Sequence, residues 1–164
     1  MPAAFDRALL GGLSTLPLDS QGWRVREVTR ELWGEVFDHV TEALLSDAAG
    51  DTERYAKAFA ALRSLYARRE AIGKPDPALT EALADYTDDA AEAAALYRVA
   101  IAQCEAYPGE RTHTKRICLA SRLMDLGDIA EARSALALGR AEAERLKDAK
   151  YVKFADDLLS QLAI

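Results

Sequence analysis

The chain has 164 residues, half of them hydrophobic and 29% charged, and its net charge is −6 at pH 7. This length is enough for one domain with its own core, and the mixture of apolar and charged residues argues against global disorder. The negative charge is concentrated in residues 76–110, where eight acidic residues and one basic residue give a balance of −7. Because nucleic-acid binding requires a basic surface, we expect no nucleic-acid partner.

The sequence shows no pattern typical of membrane insertion. No apolar run approaches the ~20 residues of a transmembrane helix. The N-terminal segment lacks the basic start of a signal peptide and is interrupted by Gly11, Gly12 and Pro17. We therefore expect a cytoplasmic protein without a membrane partner. Cys104 and Cys118 are then predicted to be reduced thiols, since a core of this size does not depend on a disulfide.

Apolar residues recur at helical spacing from the N-terminal third of the chain to its end. After a short helix predicted at 3–10, the first long helix is predicted from about Arg26 to Asp47. Its apolar face comprises Val28, Leu32, Trp33, Val36, Phe37, Val40 and Leu44. The single all-α domain of about seven helices is predicted to contain hairpin 1 at 24–73, hairpin 2 at 76–108, hairpin 3 at 111–148 and a capping helix at 149–163.

Capping residues mark the ends of the predicted helices. Asp76 followed by Pro77 predicts a helix start, because the carboxylate can cap and proline needs no N–H in the first turn. Thr87 is predicted to cap the fourth helix, with Asp88 and Asp89 near its positive end, and we expect this helix to continue to Tyr107.

Residues 112–147 form the clearest helical hairpin. Its first helix is predicted to end at Gly127, a residue suited to the left-handed conformation that closes a helix. Asp128 then begins the second helix, and Glu131 is predicted to complete a capping box with it. Because the connection is so short, the two helices are expected to run antiparallel and to pack on each other.

The caps recur along the chain at a nearly constant distance. Asp51, Asp89 and Asp128 each begin the second helix of a pair, at separations of 38 and 39 residues. Eight residues beyond each cap lies a large apolar residue, and these are Phe59, Tyr97 and Leu136. Self-similarity at such a period is typical of a helical solenoid.

Part of this pattern resembles the tetratricopeptide repeat. The residues that carry the resemblance are Leu119-Ala120, Leu123, Leu126-Gly127-Asp128, Ile129, Glu131-Ala132, Leu136 and Gly139. The match is good over about 112–140, partial over 88–105 and faint over 28–66. The resemblance implies antiparallel hairpins stacked as a short solenoid, although the repeat is longer than the usual 34 residues.

The resemblance also implies a concave groove, lined by the first helix of each hairpin, where a partner peptide or helix docks. The candidate contact residues there are Arg111, Lys115, Ser121, Arg122 and Asp125. The alternative is a solvated charged helix face that binds nothing. A second candidate surface is acidic, comprises Asp85, Asp88 and Asp89, and could attract a basic partner; solubility alone would also explain it.

The sequence has no metal-ligand spacing and no glycine-rich phosphate loop, so we expect no cofactor and no enzymatic activity. The favoured function is non-enzymatic binding of a partner protein, for example by an adaptor, or by an immunity protein or antitoxin that inhibits a basic toxin. One alternative is a small helical-bundle enzyme or ligand-binding protein that uses Cys104, His113 and Glu110. Another is a self-assembling structural subunit, and the oligomeric state is left open.

Overall fold

A computed structural model describes residues 30–105, 107 and 109–162, and this part of the chain consists of seven α-helices without a strand. The helices are α1 Arg30–Ala49, α2 Thr52–Ala71, α3 Pro77–Asp85, α4 Ala90–Cys104, α5 His113–Asp125, α6 Ile129–Arg145 and α7 Ala149–Gln161. The predicted all-α class is therefore confirmed for these residues. The short helix predicted at 3–10 and the predicted start at Arg26 lie outside them.

Each helix packs against the next one along the chain, from α1 with α2 to α6 with α7. In addition, α1 contacts α3 and α5 contacts α7. Between α3 and α5 the connection is made by side chains, because Thr114 and Lys115 of α5 both bind Glu81 of α3. None of these helices in the described ranges is both long enough and apolar enough to cross a bilayer.

The core consists of two clusters of buried residues. One lies among α1, α2 and α3 and contains Leu32, Val36, Val40, Leu62, Leu65, Leu79 and Leu83. The other extends from α3 to α7, and its larger members include Tyr97, Ile117, Leu123, Leu136 and Leu158. Leu96 of α4 packs against both clusters, so the core is continuous. Phe37, which we placed on the buried stripe of α1, is instead 48% exposed.

Three helix–helix turns share one local design, in which a residue with positive φ precedes a capping aspartate. The positive-φ residues are Gly50, Gly127 and Lys147, and the caps that follow are Asp51, Asp128 and Asp148. In each turn the aspartate backbone N–H donates to a carbonyl five residues earlier, and its side chain accepts from the N–H three residues later. The unpaired groups of both helix ends are thus satisfied within a few residues.

The structure corrects three details of the predicted helix ends. The cap of α4 is Asp89, whereas the Thr87 hydroxyl donates back to the Leu83 carbonyl. The helix ends at Cys104 rather than at Tyr107. The capping box at Asp128 is only half formed, because its backbone N–H is bound to the Leu123 carbonyl and the Glu131 carboxylate binds Arg98.

The α5 and α6 helices approach each other closely at Gly139. This glycine is buried, and a Cβ built on it would lie 2.7 Å from Ile117 Cγ1 and 3.2 Å from the His113 carbonyl oxygen. Only a residue without a side chain fits here without a shift of its neighbours. The small residues of the predicted repeat, Ala93 and Ala132, are likewise fully buried, which permits close packing of neighbouring helices.

Candidate functional site

The side chain of Lys115 is buried, with only 2% of its surface exposed. Its Nζ lies 2.9 Å from Glu81 Oε2 and 3.8 Å from Glu110 Oε1, and it donates to the Arg111 carbonyl oxygen at 3.0 Å. Burial is the largest single effect and would lower the pKa of this ammonium, but Glu81, Cys104 and Glu110 together outweigh it, so the pKa is raised. Lys115 therefore joins α3 to α5. Because it is buried, Lys115 is not accessible to a partner, which corrects its prediction as a contact residue. For the same reason, this position is not part of a solvated helix face.

Asp85 lies on α3, four residues after Glu81, and is partly exposed. The Tyr97 hydroxyl of α4 donates a hydrogen bond to Asp85 Oδ1. Burial and the negative charge of Glu81 raise the pKa of the Asp85 carboxyl to about 7, against the opposing effects of Tyr97, Lys115 and Arg122. Asp85 is thus bound into the protein rather than displayed as a simple surface charge.

Most of the acidic segment 76–110 is occupied with internal contacts. Besides Glu81, Asp85 and Glu110, three further carboxylates have partners: Asp76 caps α3, Asp89 caps α4, and Glu92 forms an ion pair with Arg63 at 2.8 Å. Six of the eight acidic side chains in the segment therefore contribute to helix capping or to contacts between helices. Four of the eight remain exposed, and these are Asp88, Asp89, Glu92 and Glu105. Asp85, the other predicted member of the acidic surface, is only partly exposed.

The remaining candidates on α5 are accessible. Arg111 and Asp125 are exposed, Ser121 and Arg122 are partly exposed, and Arg122 Nη1 lies 4.0 Å from Asp125 Oδ2. Cys118, one turn before Arg122 on the same helix, is also partly exposed. Burial is the main cause that raises the pKa of its thiol well above the usual value, and the negative charges of Asp85 and Glu81 add to it. A thiol of this kind is a poor nucleophile near neutral pH.

These positions define one mixed polar surface, which we call the α3–α5 face. It comprises Glu81, Asp85, Cys118, Ser121, Arg122 and Asp125. Of the predicted contact residues it retains Ser121, Arg122, Asp125 and Asp85. It excludes Asp88 and Asp89, which lie at the start of α4, and Arg111, which precedes α5.

Of the three residues of the alternative enzyme hypothesis, Cys104 and Glu110 both lie near Lys115, whereas the side chain of His113 contacts α7 and its cap. The Cys104 thiol donates to the Ala100 carbonyl at 3.2 Å, and Glu110 approaches Lys115. His113 is 1% exposed, with Nε2 3.1 Å from Asp148 Oδ2 and its ring edge-on to Tyr151. His113 is therefore buried between α5 and α7. Across the described ranges, no set of three His, Cys, Asp or Glu side chains is placed to hold a metal ion.

Two members of the face, Glu81 and Cys118, were not among the predicted contact residues, and neither was Tyr97, which donates to Asp85 from α4. Glu81 could have been found from its spacing of four residues from Asp85, which places both carboxylates on one side of α3. Tyr97 has no such signal, because its position in the repeat predicts a core residue, and its hydroxyl contact depends on how α4 packs against α3.

Comparison of the chain with models of protein families, with curated proteins and with solved structures finds no match. What the protein does must therefore be inferred from the α3–α5 face and from the packing of the helices.

Proposed function

We propose that the protein is a non-enzymatic protein-binding module, arranged like a short tetratricopeptide array, and that its partner docks on the α3–α5 face. The observation that carries the proposal is the combination of accessible and fixed groups on this face. Ser121, Arg122 and Asp125 of α5 are accessible, and α5 is held to α3 by the ion pair of the buried Lys115 with Glu81. A surface that is already rigid loses little conformational entropy when it binds.

The contacts among alternate helices support the array-like arrangement. The odd-numbered helices come close enough for direct packing, in α1 with α3 and in α5 with α7. Among the even-numbered helices, long side chains span the distance: Arg63 of α2 reaches Glu92 of α4, and Arg98 of α4 reaches Glu131 of α6. Between α3 and α5 the link is likewise made by side chains, those of Thr114 and Lys115 with Glu81, so each helix is joined to the next helix of its row.

The chemistry of the face favours a polar partner segment of mixed charge. Arg122 can donate to a carboxylate or to backbone carbonyls, and Ser121 and Asp125 can pair with amides or with a basic side chain. Inhibition of a basic toxin, which the −7 balance of residues 76–110 suggested, has weaker support, because only four of the eight carboxylates there are exposed, and two of these four, Asp89 and Glu92, already cap a helix or pair with Arg63.

The test is a quantitative capture experiment from the native host, with bound proteins identified by mass. Wild-type protein is compared with Arg122→Glu and Ser121→Arg, which change the α3–α5 face, and with Lys57→Glu, which makes the same charge change as Arg122→Glu on exposed α2. We expect one partner that wild type and Lys57→Glu retain equally and that both face variants lose at least tenfold. Equal capture by all four proteins, or no partner for any of them, would contradict the proposal.

A further inference from the structure

The α3–α5 face contains more negative than positive charge around the buried Lys115. Three carboxylates, Glu81, Asp85 and Glu110, accompany two cations, Lys115 and Arg122, and Arg122 is also 4.0 Å from the carboxylate of Asp125. The ammonium of Lys115 is closest to Glu81. We use the name Asp85 cluster for the side chains of Glu81, Asp85, Tyr97, Glu110, Lys115 and Arg122.

Within the cluster, Asp85 has the weakest compensation for its charge. Its hydrogen-bond donor is the neutral hydroxyl of Tyr97, and Glu81, a like charge, lies one helical turn away on the same side of α3. A proton bound to Asp85 would remove the repulsion between the Asp85 and Glu81 carboxylates. We propose that Asp85 is the proton-binding group of a pH-sensitive contact between α3 and α4.

The groups that face Asp85 come from every helix around it. Glu81 is on α3 itself and Tyr97 is on α4, while α5 contributes Lys115, Cys118 and Arg122. From α7, Tyr151 is close enough for its pKa to be raised by the charge of Asp85, after the larger effect of burial. At the C-terminal end of α3, the Tyr86 carbonyl accepts a hydrogen bond from the Tyr55 hydroxyl of α2. Burial, and then the charge of Asp85, raise the pKa of the Tyr86 hydroxyl, with a smaller effect from Asp47 of α1.

The direction of the pH effect follows from the raised pKa. Asp85 titrates near pH 7 in the folded protein and near its ordinary value of 3.8 in the unfolded chain. Folding therefore takes up a proton between these two values, and the stabilising contribution is complete below pH 3.8 and lost as the pH rises through 7. This direction is opposite to that of an ordinary aspartate in an ion pair.

The test compares denaturant unfolding of wild type, Asp85→Asn and Asp88→Asn from pH 5 to pH 8. Asparagine keeps an oxygen that can accept from Tyr97 but cannot ionise, and Asp88 is an exposed control on the same segment. From the two pKa values we expect the unfolding constant of wild type to rise roughly 100-fold relative to Asp85→Asn over this range. Asp88→Asn should follow wild type.

A second measurement keeps the inference testable even if Asp85→Asn does not fold. The carboxyl carbon of Asp85 in the folded wild-type protein is followed by NMR during a pH titration, and we expect a midpoint near 7. Parallel unfolding profiles for the three proteins, or a carboxyl midpoint near 4, would overturn the inference. Both experiments use the isolated protein, so their outcome is independent of whether a partner docks on the α3–α5 face.

Discussion

Replacement of Gly139 by alanine tests the close contact between α5 and α6. The new Cβ would lie 2.7 Å from Ile117 Cγ1 and 3.2 Å from both Arg116 Cβ and the His113 carbonyl oxygen. Ile117 cannot turn away easily, because it is fully buried and its β-branched side chain has a restricted χ1 angle. Either the side chain leaves its rotamer or α6 moves away from α5.

Two effects of opposite sign determine the size of the change. Overpacking of a core typically costs about 1–3 kcal/mol, while alanine in a helix interior is about 1 kcal/mol more favourable than glycine. Because the collision involves a stiff side chain and a backbone oxygen, we expect the steric cost to exceed the helix-forming gain. The net prediction is a loss of about 1–2 kcal/mol in the free energy of unfolding.

The control is Gly34→Ala in α1, where a Cβ would have no atom within 4 Å. Only the helix-forming gain applies there, so stability should rise by about 1 kcal/mol. The two variants are compared with wild type by urea unfolding at one pH, with a constant m-value as the check for two-state behaviour. If Gly139→Ala were as stable as Gly34→Ala, the close approach of α5 and α6 would be refuted.

Three further predictions concern turns and ion pairs. Lys147→Gly should raise stability by about 1 kcal/mol, because Lys147 has a φ of 58° at the position that Gly127, with a φ of 78°, occupies in the preceding turn. Gly127→Ala should lower stability for the same reason. Thermal unfolding would show both changes, and a loss of stability with Lys147→Gly would contradict the turn geometry. Asp128→Ala removes the cap of α6 and should cost about 1 kcal/mol, whereas an unchanged melting temperature would argue against the cap. Lys115→Met leaves the Glu81 carboxylate without the Lys115 ammonium and should cost about 3–5 kcal/mol of stability. The control, Arg98→Met, breaks an exposed ion pair with Glu131 and should cost less than about 1 kcal/mol. Similar losses for the two variants in urea unfolding would mean that Lys115 is not buried.

The helix ends could be predicted from the sequence because they depend on short-range chemistry. Gly127 and Asp128 close one helix and begin the next through bonds that reach no more than five residues along the chain. The same holds for Asp51 and for Asp76 with Pro77. The prediction for Thr87 was wrong because two cap-forming residue types, Thr87 and Asp89, stand close together, and only the packing of α3 decides which of them the helix uses.

The candidate site was predicted less well because its residues depend on contacts between distant segments. Helical spacing places Lys115 in a polar stripe of α5, but it does not show that Glu81, 34 positions earlier, covers that part of the stripe. A charge count likewise treats all eight carboxylates of residues 76–110 as equivalent. Their separation into caps, ion pairs, a hydrogen-bonded Asp85 and exposed residues appears only in the folded chain.

The most direct test of the proposed function is hydrogen–deuterium exchange of the protein alone and in complex with the partner recovered by capture. Docking on the α3–α5 face should slow exchange in peptides that cover residues 77–88 and 113–126, with little change in α2 and α6. Protection confined to α2, α4 or α6, or none at all, would contradict the assignment of the binding surface.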